Sequence, residues 1–457
     1  MLRGLVRALR CLQDDERGAI LIYFTVALFA LLPVAGAAMD LGHVFLVKQK
    51  LTNAIDSAVL AVGRRNGLSS GEATDLVESM IRARYAGNLK SLVVSNEVTQ
   101  VNVTAKVTVP MTFMQVLNTQ SVDVTVSSSA VRPHGKLEIA LVLDQTGSMA
   151  GQKIANLKLA AKDLVDIVIW NNQTDDYYSK VAIVPYAAGV NVGAYAPSVR
   201  GPIASGCFLF LCDLFDFPNA AGGSSRHSIS TCVSERTGSE RFTDVAPSLL
   251  GLLNVVGPNY PPPPGANNPC PSNSIAPLTN DKTELKRQID LLQAAGGTAG
   301  HIGLAWGWYL LSPRWGNLWP QASQPAPYSD LAVLNARGDP ILRKIVILMT
   351  DGEFNTAYCQ GVISNDSTNG SASNRINCNA PNGSSFYQSE SICTNAKATG
   401  LIVYTIGFNL STNQSVRDLM TRCATDQEHA FLASTGNELR QVFRDIATRI
   451  ASLRLTN

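Results

Sequence analysis

Leu137-Glu138-Ile139-Ala140-Leu141-Val142-Leu143-Asp144-Gln145-Thr146-Gly147-Ser148 is an apolar run of strand length that ends in one carboxylate and two hydroxyls. A second apolar run, Ile345 to Met349, leads into Asp351-Gly352-Glu353, and Thr298 lies in a Gly-Gly-Thr turn between them. Asp144, Asp351, Thr146, Ser148 and Thr298 together offer two carboxylates and three hydroxyls, each at a strand exit or in a loop. Hard oxygen donors of this kind suit Mg²⁺, or Mn²⁺ and Ca²⁺, far better than zinc or copper. The expectation is that the five meet around one divalent cation. The bland alternative for the first motif is a capped helix start, with Asp144 or Ser148 accepting from backbone N–H groups.

From Lys136 onward strands and helices alternate. Ile154, Leu157, Ala161, Leu164 and Val168 mark an amphipathic helix, and Val181 to Pro185 is a second strand. Leu285 to Ala295 and Ile302 to Leu311 read as helices, and Leu401 to Gly407 as a further strand. Thr435-Gly-Asn-Glu438 is a capping box that opens a last helix with a stripe of Leu439, Val442, Phe443, Ile446 and Ile450. Continuous apolar strands separated by helices predict an α/β, doubly wound, mainly parallel sheet, in which sites form at the carboxyl ends of strands. Trp306 and Trp308, on a predicted helix, read as packing rather than carbohydrate stacking.

Two segments break the alternation. Residues at about 200–277 and 355–390 are rich in Pro, Gly, Asn and Ser and carry cysteines. Loops this long need a reason to be ordered, and disulfides supply one. Eight cysteines (Cys207, Cys212, Cys232, Cys270, Cys359, Cys378, Cys393 and Cys423) follow residue 200. An even count points to as many as four disulfides, with about 105 possible pairings. A zinc site has less support, because no Cys-x-x-Cys occurs and the five histidines are scattered. Cys393 and Cys423 flank the strand 401–407 and are expected to pair with each other.

The amino-terminal third is different. Ala19 to Met39 holds no charged residue and would be about 31 Å long as a helix, which matches a bilayer core. Arg3, Arg7, Arg10 and Arg17 precede it, and Asp40 follows. The positive-inside rule places residues 1–18 in the cytoplasm and the bulk of the chain outside it, with 19–39 as a single-pass transmembrane helix. Val34 to Ala38 offers small residues for a signal cleavage. The apolar stretch is longer than a signal core of about 7–15 residues, however, and runs on into a helical pattern, so a retained anchor is expected. Val44, Val47, Leu51, Ala54, Ala58 and Val62 continue that helix, a second fits Glu72 to Tyr85, and Val101 to Val109 and Val122 to Val126 alternate as half-buried strands. Residues 40–131 thus form a small α+β membrane-proximal module, joined at 132–135 to the larger unit, 136–457. A formal charge of +2 with no long run of one sign gives no reason to expect a nucleic-acid partner.

Leu-Val-Leu-Asp144-Gln-Thr146-Gly-Ser148, Gly-Gly-Thr298 and Leu-Met-Thr-Asp351-Gly-Glu, in that order, resemble the metal-ion-dependent adhesion site of von Willebrand factor type A domains. The resemblance covers about residues 136–457. It implies direct contact of Thr146 and Ser148 with the ion. It also implies contact by Thr298, Asp144 and Asp351, direct or through water, and a partner carboxylate completing the shell. Thr146 stands where the family has Ser, which keeps the hydroxyl. Arg17-Gly-Ala-Ile, Met39-Asp40-Leu-Gly and Lys48-Gln-Lys-Leu-Thr-Asn-Ala-Ile-Asp56 are similar to the TadE/TadG-like anchor of tight-adherence (Flp) pilus assembly proteins. Cys393 to Gly407, Arg422-Cys423-Ala and Leu453-Arg-Leu-Thr are also TadG-like. Gly18 is followed five residues on by Tyr23 rather than Glu, so no prepilin-type cleavage is expected.

The resemblance implies an inner-membrane protein whose periplasmic domain binds a pilus-assembly component through the cation; a cell-surface adhesin for a host or matrix ligand is the alternative. Metal-protease, nucleophile-elbow and phosphate-loop motifs do not occur, and the hydroxyl-rich set has no adjacent general base. A non-enzyme is expected.

Overall fold

Val47, Leu51, Ala54, Ala58 and Val62, spaced three or four apart, are all buried in the computed structural model. They line one face of a single helix, α1 (Arg17–Arg64). The structure describes residues 17–64, 68–85, 87–97, 100–131, 135–170, 173–200, 214–228, 230–247, 259–260, 262–263, 268–335, 338–368, 374–410, 413–451 and 454–456. Arg3, Arg7, Arg10, the linker positions 132–134, Cys207 and Cys212 lie outside these. The chain divides into two units, residues 1–133 with 453–457, and residues 134–452.

In the first unit, α1 is long and apolar enough to cross a membrane and contains Pro33. Tyr23, Phe29, Leu32 and Met39 are exposed on it. Helix α2 (Ser70–Arg84) starts two residues earlier than expected, because Ser69 and Glu72 form a reciprocal capping box. Strands β1 (Leu89–Asn96), β2 (Gln100–Pro110) and β3 (Ser121–Val131) form an antiparallel meander. Alternation places Val101, Val103, Ala105, Val107 and Val109 in a core shared with the buried residues of α1 and α2. A fourth strand, Arg454–Thr456, pairs antiparallel with β3, Arg454 opposite Val131. The larger unit was expected to run to residue 457. Its last residues belong instead to this sheet, a pairing set by backbone register that a three-residue strand cannot announce.

The second unit contains β4 (Lys136–Asp144), α3 (Gln152–Val168), β5 (Tyr178–Tyr186), β6 (Val190–Asn191), the hairpin β7 (Leu214–Pro218) and β8 (Ser224–Ser228), β9 (Cys232–Val233) and β10 (Ala276–Thr279). After these come α4 (Lys282–Asp290), α5 (Gly300–Leu311), β11 (Leu342–Thr350), β12 (Tyr358–Cys359), β13 (Val362–Ser364), β14 (Arg375–Ile376), α6 (Ser385–Ala398), β15 (Ile402–Phe408), α7 (Gln414–Cys423), β16 (Ala430–Ala433) and α8 (Gly436–Ile450). The main sheet runs β16-β15-β11-β4-β5-β6-β9, with β10 also on β5. The five strands from β16 to β5 are parallel. Every residue of β4 after Lys136 is buried, as a sheet covered on both faces requires. Trp306 and Trp308 of α5 are core residues against Ala140, Val142, Ala182 and Val346.

The inserts are stapled. Cys232 bonds Cys270, Cys359 bonds Cys378, and Cys393 bonds Cys423, joining α6 to α7 across β15. Phe215 and Phe217 of the first insert pack with Val362 and Ile376 of the second.

Glu138 and Lys344 are register partners in β4 and β11, both fully buried, and form an ion pair. Tyr178 OH and Ala326 N–H donate to Glu138, each at 2.8 Å, and Lys344 also donates to Leu311 O at 2.8 Å. Removing one partner of such a pair strands a buried charge, whereas replacing both does not. All five tryptophans lie in the second unit, so their fluorescence reports its unfolding. Lys344→Met should cost the full chain in detergent about 3–5 kcal/mol in urea unfolding, and Glu138→Gln/Lys344→Met should recover most of it.

Candidate metal centre

β4 and β11 are hydrogen-bonded neighbours in parallel register, Leu143 opposite Met349. Their exits therefore deliver Asp144 and Thr350-Asp351 to one edge of the sheet. Asp144 is fully buried and accepts from Thr146 N–H at 2.8 Å and Thr350 Oγ1 at 2.8 Å. The Tyr186 hydroxyl lies 3.2 Å from the same carboxylate and 3.0 Å from Met349 O. Thr146 Oγ1 is 3.0 Å from Ser148 Oγ, which donates to Asp351 Oδ1 at 2.5 Å. Four of the five expected donors are thus one linked cluster, and its outer rim, Gly147 and Ser148, is exposed.

Thr298 is placed by backbone ties rather than by a direct link to those side chains. Gly147 N–H donates to Gly296 O at 2.9 Å, and Ala295 N–H to Gln145 O at 2.9 Å. Gly296 has φ +77, a conformation that favours glycine. Thr298 N–H donates to Asn355 Oδ1 at 3.0 Å, and Asn355 N–H returns a bond to Thr298 O at 2.9 Å. The turn is therefore clamped between the loops after β4 and β11. The first insert also touches it, because Gly297 N–H donates to Asn268 Oδ1 at 3.0 Å.

Burial, with the Asp351 carboxylate as a second cause, pushes Asp144 up to about 6 from its ordinary 3.8. Among the described residues its hydrogen-bond donors, the Thr146 N–H and the Tyr186 and Thr350 hydroxyls, are neutral, and no ion pair includes it. A buried carboxylate beside another carboxylate, with hydroxyls and no cationic partner, is an electrostatic deficit that a divalent cation would fill. Among the described residues no group of three or more His, Cys, Asp and Glu side chains is placed to hold a metal ion, and the oxygens gathered here are two carboxylates and hydroxyls. The chemistry of this donor set suits a divalent cation: Asp144, Thr146, Ser148 and Asp351 would hold it, with Thr298 on the turn tied to the same loops.

Four further residues escaped the sequence reading. Thr350 and Tyr186 hold Asp144, and Asn355 holds the Thr298 turn. Lys153 of α3 pairs with Asp351 Oδ2 at 2.6 Å, so its ammonium partly occupies the charge balance of the site. Lys153 lies five residues after Ser148 and Thr350 next to Asp351. Proximity to the motifs was the available signal: Thr350 stands inside the quoted Leu-Met-Thr-Asp351 string without a role assigned to it, and Lys153 lies outside any motif.

Residues 18–65 match the model for putative Flp pilus-assembly TadE/G-like proteins. The TadE/G-like match takes in most of α1 and stops short of the second unit. No curated protein matches the chain. Among solved structures, the von Willebrand factor domain of the type V pili tip protein Mfa5 from Porphyromonas gingivalis shares 13% identity, with 70% of this chain and 96% of that one covered and a TM-score of 0.35. The pilus adhesin SpaC from Lactobacillus rhamnosus GG, in its open conformation, shares 13%, with 79% and 33% covered and a TM-score of 0.35. Proximal thread matrix protein 1 from the mussel byssus, with zinc in its MIDAS motif, shares 15%, with 71% and 47% covered and a TM-score of 0.31. The chain spans less than half the length of the SpaC and byssus proteins.

Two outcomes test the site. In metal-free protein, folded Asp144 keeps its proton up to about pH 6 while the unfolded chain releases it near 3.8. The native state then binds more protons in that window, so stability falls as pH rises through it, by about 3 kcal/mol in all. Asp144→Asn should flatten this fall, and saturating Mg²⁺ should stabilise only the parent above pH 6; tryptophan-monitored unfolding reads both. Lys153→Met, which removes a competing cation, should tighten Mn²⁺ binding by calorimetry, about tenfold if the pair is worth about 1.4 kcal/mol.

Proposed function

We propose that this chain is a membrane-anchored protein of tight-adherence pilus assembly or anchoring. Its second unit binds a partner protein by sharing a divalent cation, Mg²⁺ before Mn²⁺ or Ca²⁺, with a partner carboxylate. The observation that carries this reading is the buried Asp144 carboxylate, bonded among the described residues only to neutral donors, at an edge whose rim is open at Ser148. The TadE/G-like match supports the assembly context, and the apolar part of α1 supports single-pass anchoring, with the amino terminus in the cytoplasm and the rest in the periplasm.

The chemistry is recognition rather than turnover. Asp144 and Asp351 supply negative charge, Thr146 and Ser148 supply neutral oxygens, and the ion would contribute the excess positive charge that draws an acidic side chain. Thr350 and Tyr186 hold Asp144 in place. A hydroxyl shell without a general base gives no route for activating water, so we read the protein as a non-enzyme.

Pull-down from the envelope fraction with the purified full chain tests this reading. Partner capture should require Mg²⁺, be lost in EDTA, and be lost in Asp144→Ala while the tryptophan spectrum stays native. Equal capture in all arms overturns cation-mediated recognition. Protease on intact cells should leave the second unit uncut until the outer membrane is breached; immediate cleavage would instead favour a surface adhesin.

A further inference from the structure

The turn between β2 and β3 is unusual for a surface hairpin. Residues 107–122 contain no charge, and its tip reads Met111-Thr-Phe-Met-Gln-Val-Leu117. Hairpin turns in water are ordinarily polar. This one is fastened to α1: the Asp40 carboxylate, 6% exposed, accepts backbone N–H bonds from Thr112 at 3.1 Å, Phe113 at 2.8 Å and Met114 at 2.7 Å. Phe113 lies directly on Gly36. A Cβ added to Gly36 would sit 2.5 Å from Phe113 Cβ and 2.6 Å from its Cγ, so only glycine admits the contact.

The level of that contact is informative. Gly36 is one helical turn, about 6 Å, on the amino-terminal side of Asp40, inside the apolar stretch Ala19–Met39. Phe113 is nonetheless 46% exposed there, and Val34 and Met39, on the same stretch of α1, are exposed as well. Exposed apolar side chains also continue past Asp40, at Leu41, Phe45 and Leu46, and the first exposed cations are Lys48 and Lys50. The collar of α1, apolar but for exposed His43, therefore extends about 9 Å beyond Asp40, and the hairpin tip lies below its upper rim.

We propose that the tip, residues 111–117, is immersed in the outer hydrocarbon–headgroup boundary of a phospholipid bilayer, with Phe113 against the acyl chains and Lys48 and Lys50 at headgroup level. The inference rests on the membrane-anchor reading of α1. It accounts for two features that lipid otherwise disfavours. Irregular backbone at membrane depth needs its N–H groups satisfied internally, and a carboxylate there needs partners. Asp40 and the three N–H groups satisfy each other. Met111 N–H to Gln120 O and Thr119 N–H to Met114 O, at 2.9 and 3.1 Å, close more of the loop's own backbone.

The test uses the full chain in vesicles of phosphatidylethanolamine and phosphatidylglycerol, with acyl chains brominated either near the headgroup or near the chain end. Since every native tryptophan lies in the second unit, the emission added by one new indole is read by difference. Phe113→Trp should lose most of its added emission to the shallow bromines. Leu32→Trp, in the span, should lose its emission to the deep ones, and Val93→Trp, exposed on β1, should lose none. Quenching at Leu32→Trp without quenching at Phe113→Trp overturns the immersed tip and leaves the anchor standing. Quenching at neither overturns the anchor and the tip together. Asp40→Ala should release the tip and restore Phe113→Trp emission; undiminished quenching in that background overturns the part assigned to Asp40.

Discussion

Parallel pairing of β4 with β11 in one register is the constraint from which the second unit follows. Because the two strands run side by side in the same direction, their last residues emerge together, and two carboxylates over two hundred positions apart become neighbours. Slipping that register would move Asp351 away from Ser148 and Glu138 away from Lys344 at once. Opposite ends of one ladder thus hold two electrostatic problems, solved differently. The Glu138–Lys344 end brings its own counter-charge and is closed. Among the described residues the Asp144–Asp351 end has only Lys153, attached to one of the two carboxylates, and is open to solvent at Ser148.

The inserts serve the open end. Each is closed by a disulfide, and the two pack together through Phe215, Phe217, Val362 and Ile376. Asn268 carries the first of them onto the Gly296–Thr298 turn. Covalent closure restricts the unfolded chain more than it strengthens the native one, which suits segments poor in apolar residues. Rigidity beside the Asp144–Asp351 edge follows without enlargement of the core.

Much of this was legible in the residues. Period-two alternation at Val101–Val109, continuous apolar runs at 137–143 and 345–349, and the capping box at Thr435 express local rules, and the elements formed there. Asp144, Thr146, Ser148 and Asp351 could be grouped because each sits at a strand exit in a fold that gathers strand exits. What stayed hidden depends on tertiary register. Lys153 and Tyr186 are ordinary helix and strand residues until packing aims them at a carboxylate. Arg454–Thr456 carries too few residues to declare a partner strand. Asp40 looks like the polar end of a membrane span; only the folded hairpin shows it bound to three backbone amides seventy residues away.

The pairing of Arg454 with Val131 has a mechanical corollary. Covalently, the second unit is a loop spliced into the first, leaving it after one strand and rejoining it at that strand's neighbour. Severing either connecting segment would leave the larger unit attached through the other, so a single proteolytic nick does not shed it. Traction on the larger unit is shared by two strands whose mutual hydrogen bonds must part before either can be drawn out alone.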